Sequence, residues 1–574
     1  MEAPCTKPLS YLNELLIPFE ANRLEHASVV FFNSELNLTD TADEVSEACA
    51  YIIPDNVVDL TAREKKVFFA ERYGGDGILR NGGGGRGGYD GKYSIKGIGA
   101  NKLVADCSDP SHADGKLRLL DAIYEAIWGE IINIALPYGA TRTLAIILTS
   151  EKYLIDEELH NRALSVREPT VRPAHFMRAL MYKEKKGSLF EKDFKRVEAA
   201  IKKLVDFLPY DEIEVDDAVS LNVRLSRGLT SLSKRYARQF AYARAKRIVH
   251  RTVSASNVSI EGGWLDLTRT TIFTDDLFKD KFDFDSFAME FTPAVQSLRH
   301  ISFYCYKYLG ISKDDSSEIF RSAAYEFSKE YSLRLSIGLM AQAGFPVVFT
   351  SRLCKTDQFS KMSTLLRKVM EQNGYGVREV KTSGGWEGFE FNVAKTLKAM
   401  LSFCMGNNEK PGDSYNDQNP SHLDIYKVFF ESVCALAVTN GITEKSLIRG
   451  MWISLIKFTR VPQLLHQKYL HAAINDLSES LNKNTLKKEG VQEFIDNVAS
   501  SATLSLQYDE SYDVVVWQSS NMKIIYSMPI DKFVLSSVAE TKILKLADLK
   551  IMGSNNPEIK SALSFYQDIW GLFL

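Results

Sequence analysis

The sequence predicts an α+β fold of two unequal lobes, followed by a C-terminal helical region with a small strand-containing cap. Three observations predict it. Residues 65–100 alternate apolar and polar side chains on either side of a loop, "NGGGGRGG", with six glycines in eight residues. Residues 117–136, "LRLLDAIYEAIWGEIINIAL", carry apolar residues at helical spacing and lead into "TRTLAIILTS", which reads as a buried strand. From about residue 190 the pattern is mostly helical, interrupted by the polar segment "HRTVSASNVSIEGGWLDLTRT" at 250–270.

Taken in order, residues 1–60 mix short apolar runs ("SVVFF", "AYIIP") with polar turns and read as an N-terminal extension with some strand. Residues 61–165 form the small lobe. It runs through strand "KKVFFAERYGG", the glycine loop, strand "KYSIKGIG" with Lys96, and the helix with Glu125 and Glu130. Residues 166–405 form the helical lobe. There "LSKRYARQFAYARAKRIVHR" leads straight into the polar segment, and 286–345 read as further helices. The run "GNNEKPGDSYNDQNPS", 406–421, reads as a linker or exposed loop. Residues 422–574 form the C-terminal region, whose end alternates as strands do ("YDVVVWQSS", "MKIIYSMPI"). Strand, glycine loop, strand with Lys, helix with Glu, strand, then a helical half with a polar loop and an Asp is the order of parts in a protein-kinase-like bilobed fold.

Composition bounds the function. A chain of 574 residues with 45% hydrophobic content is long enough for two to four domain-sized units. A net charge of −3 offers no global basic field, which argues against nucleic acid as partner. The seven cysteines form no CxxC pair or zinc spacing and read as reduced thiols. The first residues, "MEAPCTKPLSYLNELLIPFE", lack the basic start and apolar stretch of a signal peptide. No apolar run approaches the roughly 18 residues that span a bilayer. The expectation is a soluble, cytoplasmic protein with no membrane span.

The chemistry-bearing residues fall into one ordered set. Gly83, Gly84, Gly85, Arg86 and Gly87 form a loop whose backbone N–H groups can approach phosphate oxygens, or simply a flexible turn. Lys96 can reach two phosphates as a point charge. Glu125 would orient it through an ion pair, with Glu130 as competitor, because both acids interrupt an apolar helix. Asn257, in the polar loop, and Asp266, beyond the glycine turn 262–263, can both offer oxygen to Mg2+, which takes only one or two ligands from protein. His250 reads as a structural histidine that holds the loop backbone, and His175, in "RPAHF", is ambiguous between a structural and a functional role. The basic, aromatic-laced stretch 234–251 reads as a core helix with a charged rim.

The segments "ERYGGDG", "KYSIKGIG", "REPTVRPAHFMRA" and "HRTVSASNVSIEGGWLDLT" resemble selenoprotein O, the kinase-fold protein adenylyltransferase family. "EAIWGEIINIALPYGATRTLAIILTS" and "VREPTVRPAHFMRAL" look closer to a divergent branch, the MchC/MceJ proteins of siderophore-microcin gene clusters. The resemblance covers roughly residues 65–275. It implies that Lys96 is the phosphate-binding lysine, Glu125 its helix partner, and Asn257 and Asp266 the metal ligands. It further implies that Arg167, with Arg172 or Arg178, holds phosphates of a flipped ATP. The branch is implicated in joining a microcin precursor peptide, through its C-terminus, to a glucosylated catecholate siderophore. It acts with an acyltransferase-like partner subunit.

One departure from the family pattern bears on mechanism. The Asp before the Asn, the family's presumed base, is Ser256 here. A hydroxyl nucleophile gains from a base within reach. A peptide C-terminus, with a pKa near 3.5, is already ionised at pH 7 and needs none. The expected function is ATP- and Mg2+-dependent activation of a peptide carboxylate. A pseudokinase scaffold for the partner, or an adenylyltransferase acting on Ser, Thr or Tyr hydroxyls, are the alternatives.

Overall fold

The protein is described by a computed structural model covering residues 7–574, apart from 37–38, 55–63, 76–80, 106–112, 156, 184–189, 212–218, 407–419, 484–486, 488, 520, 538–539 and 574. It is a mixed α/β structure built on a large antiparallel sheet. Nearly all of the polar run 406–421 lies outside the described residues.

In chain order the first part comprises β1 (Leu16–Arg23), β2 (Ala27–Phe32), α1 (Ala42–Cys49), β3 (Tyr51–Ile52), β4 (Lys65–Glu71), β5 (Gly87–Tyr89), β6 (Ser94–Lys96), α2 (Leu119–Ala135), β7 (Thr143–Ile155) and β8 (Glu158–Arg167). The eight strands form one sheet in the order β2-β7-β8-β6-β5-β4-β1-β3. β1 and β2, which fall within the expected N-terminal extension, are therefore part of this sheet. β1 pairs along its length with β4, and β2 lies beside β7. The alternation in "KKVFFAE" required a strand on each side to bury Phe68 and Ala70, and β1 supplies one.

Helix α2 packs against the sheet strands β7 and β8. Twelve of its seventeen residues are buried, so it is covered on most sides rather than on one stripe. It ends at Ala135, two residues before Pro137, which cannot continue a helix.

The helical part holds α3 (Asp193–Lys203), α4 (Leu221–Ala245), the short hairpin β9 (Ile248–Val249) and β10 (Thr271–Ile272), α5 (Lys281–Ala288), α6 (Thr292–Tyr308), α7 (Lys313–Gln342), α8 (Val347–Leu353) and α9 (Asp357–Asn373). Helix α4 is the basic, aromatic stretch. Tyr236 and Phe240 are buried, Arg238 pairs with Glu330, and the Arg247 guanidinium is satisfied inside the protein. It is a core helix whose charges are mostly matched.

The C-terminal part holds β11 (Val377–Lys381), β12 (Glu387–Phe391), α10 (Val393–Cys404), α11 (Pro420–Thr439), α12 (Glu444–Thr459), β13 (Arg460–Pro462), α13 (Gln467–Asn482), α14 (Glu489–Leu506), β14 (Asp513–Gln518), β15 (Met522–Ser527), β16 (Lys532–Ser537), β17 (Thr541–Leu544), α15 (Leu546–Gly553) and α16 (Pro557–Phe565). The strand cap is the meander β14 to β17. This part is no separate module: α13 and α14 pack directly on α2, and Tyr124 meets His471 edge-on at 4.8 Å. Among the described residues no single helix is long and apolar enough to cross a membrane.

Lys246, just past α4, is buried and donates to the carbonyl of Ala135 at the end of α2, with its ammonium 3.9 Å from the Tyr508 ring centre. Burial first, then the charge of Lys457, pulls its pKa down to about 7. In the unfolded chain Lys titrates near 10.4, so between these values the unfolded chain holds the extra proton and stability rises with pH. Melting temperature measured from pH 7 to 8.5 should climb, and Lys246→Met should flatten that climb by roughly 1–2 kcal/mol. An equal slope in both proteins would contradict a neutral buried lysine.

Candidate functional site

The site begins with the register of three strands. β6 pairs with β8 so that Lys96 faces Ser165 and Ser94 faces Arg167. Side chains two apart share a sheet face, so Lys96 and Arg167 point the same way, toward α2. There Glu125, 2% exposed, takes both: its Oε2 lies 2.8 Å from Lys96 Nζ and its Oε1 2.9 Å from Arg167 Nη1. Glu130 turns elsewhere. It accepts from Asn33 Nδ2 at 2.8 Å and pairs with Arg142. Five residues separate the two acids, about 140° around the helix, so only one can face the lysine.

Lys96 has a second partner. Its Nζ lies 2.6 Å from Asp266 Oδ1, which joins the sheet to the polar loop. Asp266 sits at φ +58°, a left-handed conformation that few non-glycine residues adopt and that Asp tolerates better than most. Its neighbours explain how it is held. Leu265 N–H donates to Asn257 O at 2.9 Å, and Val258 bridges Trp264. Ser259 Oγ closes the intervening turn by accepting from Gly263 N–H at 2.9 Å. A Cβ on Gly263 would lie 2.6 Å from Tyr138 O, so the turn fits only glycine. His250 sits beneath, donating from Nε2 to Leu265 O at 2.9 Å and lying edge-on to Trp264. It is the structural histidine that its place at the head of the segment suggested.

Between sheet and loop lies a cavity of about 80 Å3. Its walls include four cations, Arg86, Lys96, Arg167 and Arg172, against the carboxylates of Asp266 and Glu71. An excess of positive charge in a narrow, partly closed space suits an anion such as a phosphate group. Burial alone would raise the Asp266 pKa, but Lys96, Arg86 and Arg167 outweigh it and hold the carboxyl far below its usual range. It is an anion at any ordinary pH, with 35% of its side chain accessible.

Not every expected residue arrives. Arg172 lines the cavity, stacks over Tyr73 at 5.2 Å and donates to Ser256 O at 3.0 Å. Arg178 does not. Its Nε lies 3.6 Å from Asp193 Oδ2, drawn toward the start of α3. The glycine loop also differs from expectation. Gly84 and Gly87 line the cavity, but the N–H groups of Gly84, Gly85 and Gly87 donate to Glu71 O, Gly83 O and Gly84 O within the protein. Those three amides are not free for phosphate, so the cavity's charge comes from side chains. Gly83 is required by packing: at φ +148° its Cβ would lie 2.1 Å from Glu71 O. Gly85 is closed in by Val104.

Asn257 stands beside the cavity. Its Nδ2 donates to Thr252 O at 2.7 Å, and its Oδ1 accepts from Ser256 Oγ at 3.4 Å. Ser256 Oγ shares a 2.9 Å hydrogen bond with Ser254 Oγ. Among the described residues no group of three or more His, Cys, Asp or Glu is arranged to hold a metal. Asn257 Oδ1, the Asp266 carboxylate and the Glu71 carboxylate on the cavity wall are oxygens of the kind Mg2+ takes, one or two of them from protein with water and phosphate completing the shell. Sequence reading missed Glu71 and Tyr73, which line the cavity. Their signal was a charged residue at the end of an alternating strand, immediately before the glycine-rich segment.

Glu125→Ala would leave Lys96 and Arg167 buried without their shared carboxylate, and should cost about 3–5 kcal/mol in chemical denaturation. Gly83→Ala should destabilise the protein by at least about 2 kcal/mol, measured in the same way, because φ and space both exclude a Cβ.

No protein-family model and no curated protein sequence matches the chain.

Proposed function

We propose that the chain is an ATP- and Mg2+-dependent enzyme of bilobed, kinase-like fold. It activates the C-terminal carboxylate of a peptide, as one subunit of a ligase that forms an ester. One observation carries the reading. Lys96 is held between Glu125 and Asp266 at a cation-rich cavity, while the polar loop that carries Asp266 has Ser256, its hydroxyl bonded to Ser254 Oγ, where the resembling family has a carboxylate. Positioning and positive charge are what phosphoryl and nucleotidyl transfer ask of a protein. A base is what this loop lacks, and an ionised carboxylate needs none.

In this reading Arg86, Lys96, Arg167 and Arg172 bind the phosphates, and Glu125 keeps Lys96 and Arg167 pointed at them. Asp266 and Asn257 hold Mg2+, which when bound offsets phosphate charge. A carboxylate oxygen of the peptide attacks phosphorus. The new P–O bond replaces the bond to pyrophosphate, giving an acyl-adenylate, or the bond to ADP, giving an acyl-phosphate. A sugar hydroxyl then attacks the carbonyl carbon, loses its proton to solvent and expels AMP or phosphate. From the resemblance of the polar segments, the peptide is a microcin precursor and the acceptor a glucosylated catecholate siderophore. The partner is an acyltransferase-like subunit.

A scaffold reading draws on the size of the cavity. A volume of about 80 Å3 takes a phosphate group, and the rest of a nucleotide would lie beyond its mouth, whereas a scaffold need hold none.

Protein, partner, ATP, Mg2+ and peptide together should release AMP and pyrophosphate, or ADP and phosphate, only when the peptide C-terminus is free. Equal turnover with a C-terminally amidated peptide would sink the carboxylate mechanism. Asp266→Ala should lower ligation at least about a hundredfold. A scaffold would ligate undiminished with this variant, and labelled AMP stable on a protein hydroxyl would favour adenylylation of side chains.

A further inference from the structure

The cavity beside Lys96 holds more hydrogen-bond donors than the protein satisfies. Arg167 gives Nη1 to Glu125, but its Nε is buried with no acceptor among the described residues. Arg172 gives Nη1 to Ser256 O, and its Nε is likewise buried and unpartnered. Arg86 lines the same cavity, and no described residue accepts from its guanidinium. Buried donors without acceptors are costly, and three guanidinium groups around one cavity ask for an anion with several oxygens.

For a cation the same walls are unfavourable. Arg86, Lys96, Arg167 and Arg172 face the carboxylates of Asp266 and Glu71, with Glu125 behind Lys96 and Arg167. The balance is positive, so a divalent ion entering alone meets like charge at short range. The oxygens it would use are also engaged. Asp266 Oδ1 lies 2.6 Å from Lys96 Nζ, and the Lys96 side chain is 6% exposed. Glu71 Oε1 accepts from Ser94 Oγ at 3.2 Å, and its Oε2 lies 3.3 Å from His175 Nε2.

We infer that the cavity takes the phosphate chain of its ligand without a metal, and that Asp266 becomes a cation ligand only once the phosphates are in place. The inference rests on the nucleotide reading for the identity of that ligand and adds the order of binding. Phosphate oxygens satisfy Arg86, Arg167 Nε and Arg172 Nε, and they reverse the sign of the cavity. Lys96 has three protons to give, of which Glu125 and Asp266 take two. A phosphate oxygen competes with Asp266 for them. It does not displace Glu125, which is buried and tied through its other oxygen to Arg167. Asp266 is then released to share a divalent ion with the phosphates, as carboxylates commonly do with Mg2+. Lys96 thus keeps Asp266 from a metal until the ligand that needs the metal has arrived.

The probe is inorganic tripolyphosphate, used with the full chain and without peptide or partner. Calorimetric titration in EDTA should show tripolyphosphate binding that weakens as salt rises. Water-proton relaxation, which reports Mn2+ immobilised on a protein, should be enhanced only when tripolyphosphate is added. Mn2+ and tripolyphosphate without protein give the baseline. Arg86→Gln should lose at least about tenfold in tripolyphosphate affinity in EDTA while melting as the wild type does. Lys96→Met, which frees Asp266, should bind Mn2+ alone at least about tenfold more tightly than the wild type does. The order is overturned if the wild type binds Mn2+ alone as tightly as with tripolyphosphate, or if EDTA abolishes tripolyphosphate binding. Either result leaves the nucleotide reading standing, because the phosphate chain still binds. Failure of tripolyphosphate to bind both with and without metal overturns the two together.

Discussion

The buried carboxylate of Glu125 is the interaction on which the site depends. It lies between Lys96 and Arg167, so one acid on a helix fixes two cations on two neighbouring strands. A charge this deeply buried is tolerable only when paired and hydrogen-bonded on both oxygens, which is the case here. The position of α2 therefore sets the charge arrangement of the cavity. The position of α2 is itself set from behind. Helices α13 and α14 cover its outer side, and Lys246 takes its last carbonyl. The C-terminal part thus braces the helix that orients Lys96.

The polar segment is the second constraint. Asp266 holds a left-handed backbone because the residues around it leave no alternative. Trp264 is pinned to Gly139 and Thr141, Gln239 fixes the turn at 138–139, and Tyr236 donates to Ser259 O. Strain at one residue is thus held by a dense set of hydrogen bonds around buried aromatic rings. Helix α4 supplies two of those anchors, so a stretch rich in Arg and Lys serves as support for the segment. The same economy appears at the edge of the sheet. Gln492 of α14 satisfies one outward N–H of β2, and α14 packs against that terminal strand.

Much of the arrangement was legible in the chain. The ion pair of Lys96 with Glu125 was anticipated and is present, whereas the contact of Lys96 with Asp266, read as a metal ligand beside Asn257, was not. The choice between Glu125 and Glu130 was not legible, because both interrupt the same apolar helix. Nor was the choice between Arg172 and Arg178. Six residues apart in an irregular segment, they are sorted by Tyr73 and Asp193, which come from distant parts of the chain. The glycines were read as a phosphate cradle, yet several of their amides are spent on Glu71 and on one another.

What the sequence determined by itself is local: which segments are strands or helices, and which residue types can carry charge or ligate an ion. Those follow from periodicity and side-chain chemistry, which need only near neighbours along the chain. What the tertiary structure decided is pairing. It made β1 and β2 part of the main sheet, turned Glu125 toward Lys96, and set α14 against the terminal strand β2. Each of these brings together residues separated by tens to hundreds of positions, and only burial and packing of the whole chain select among the partners that local chemistry allows.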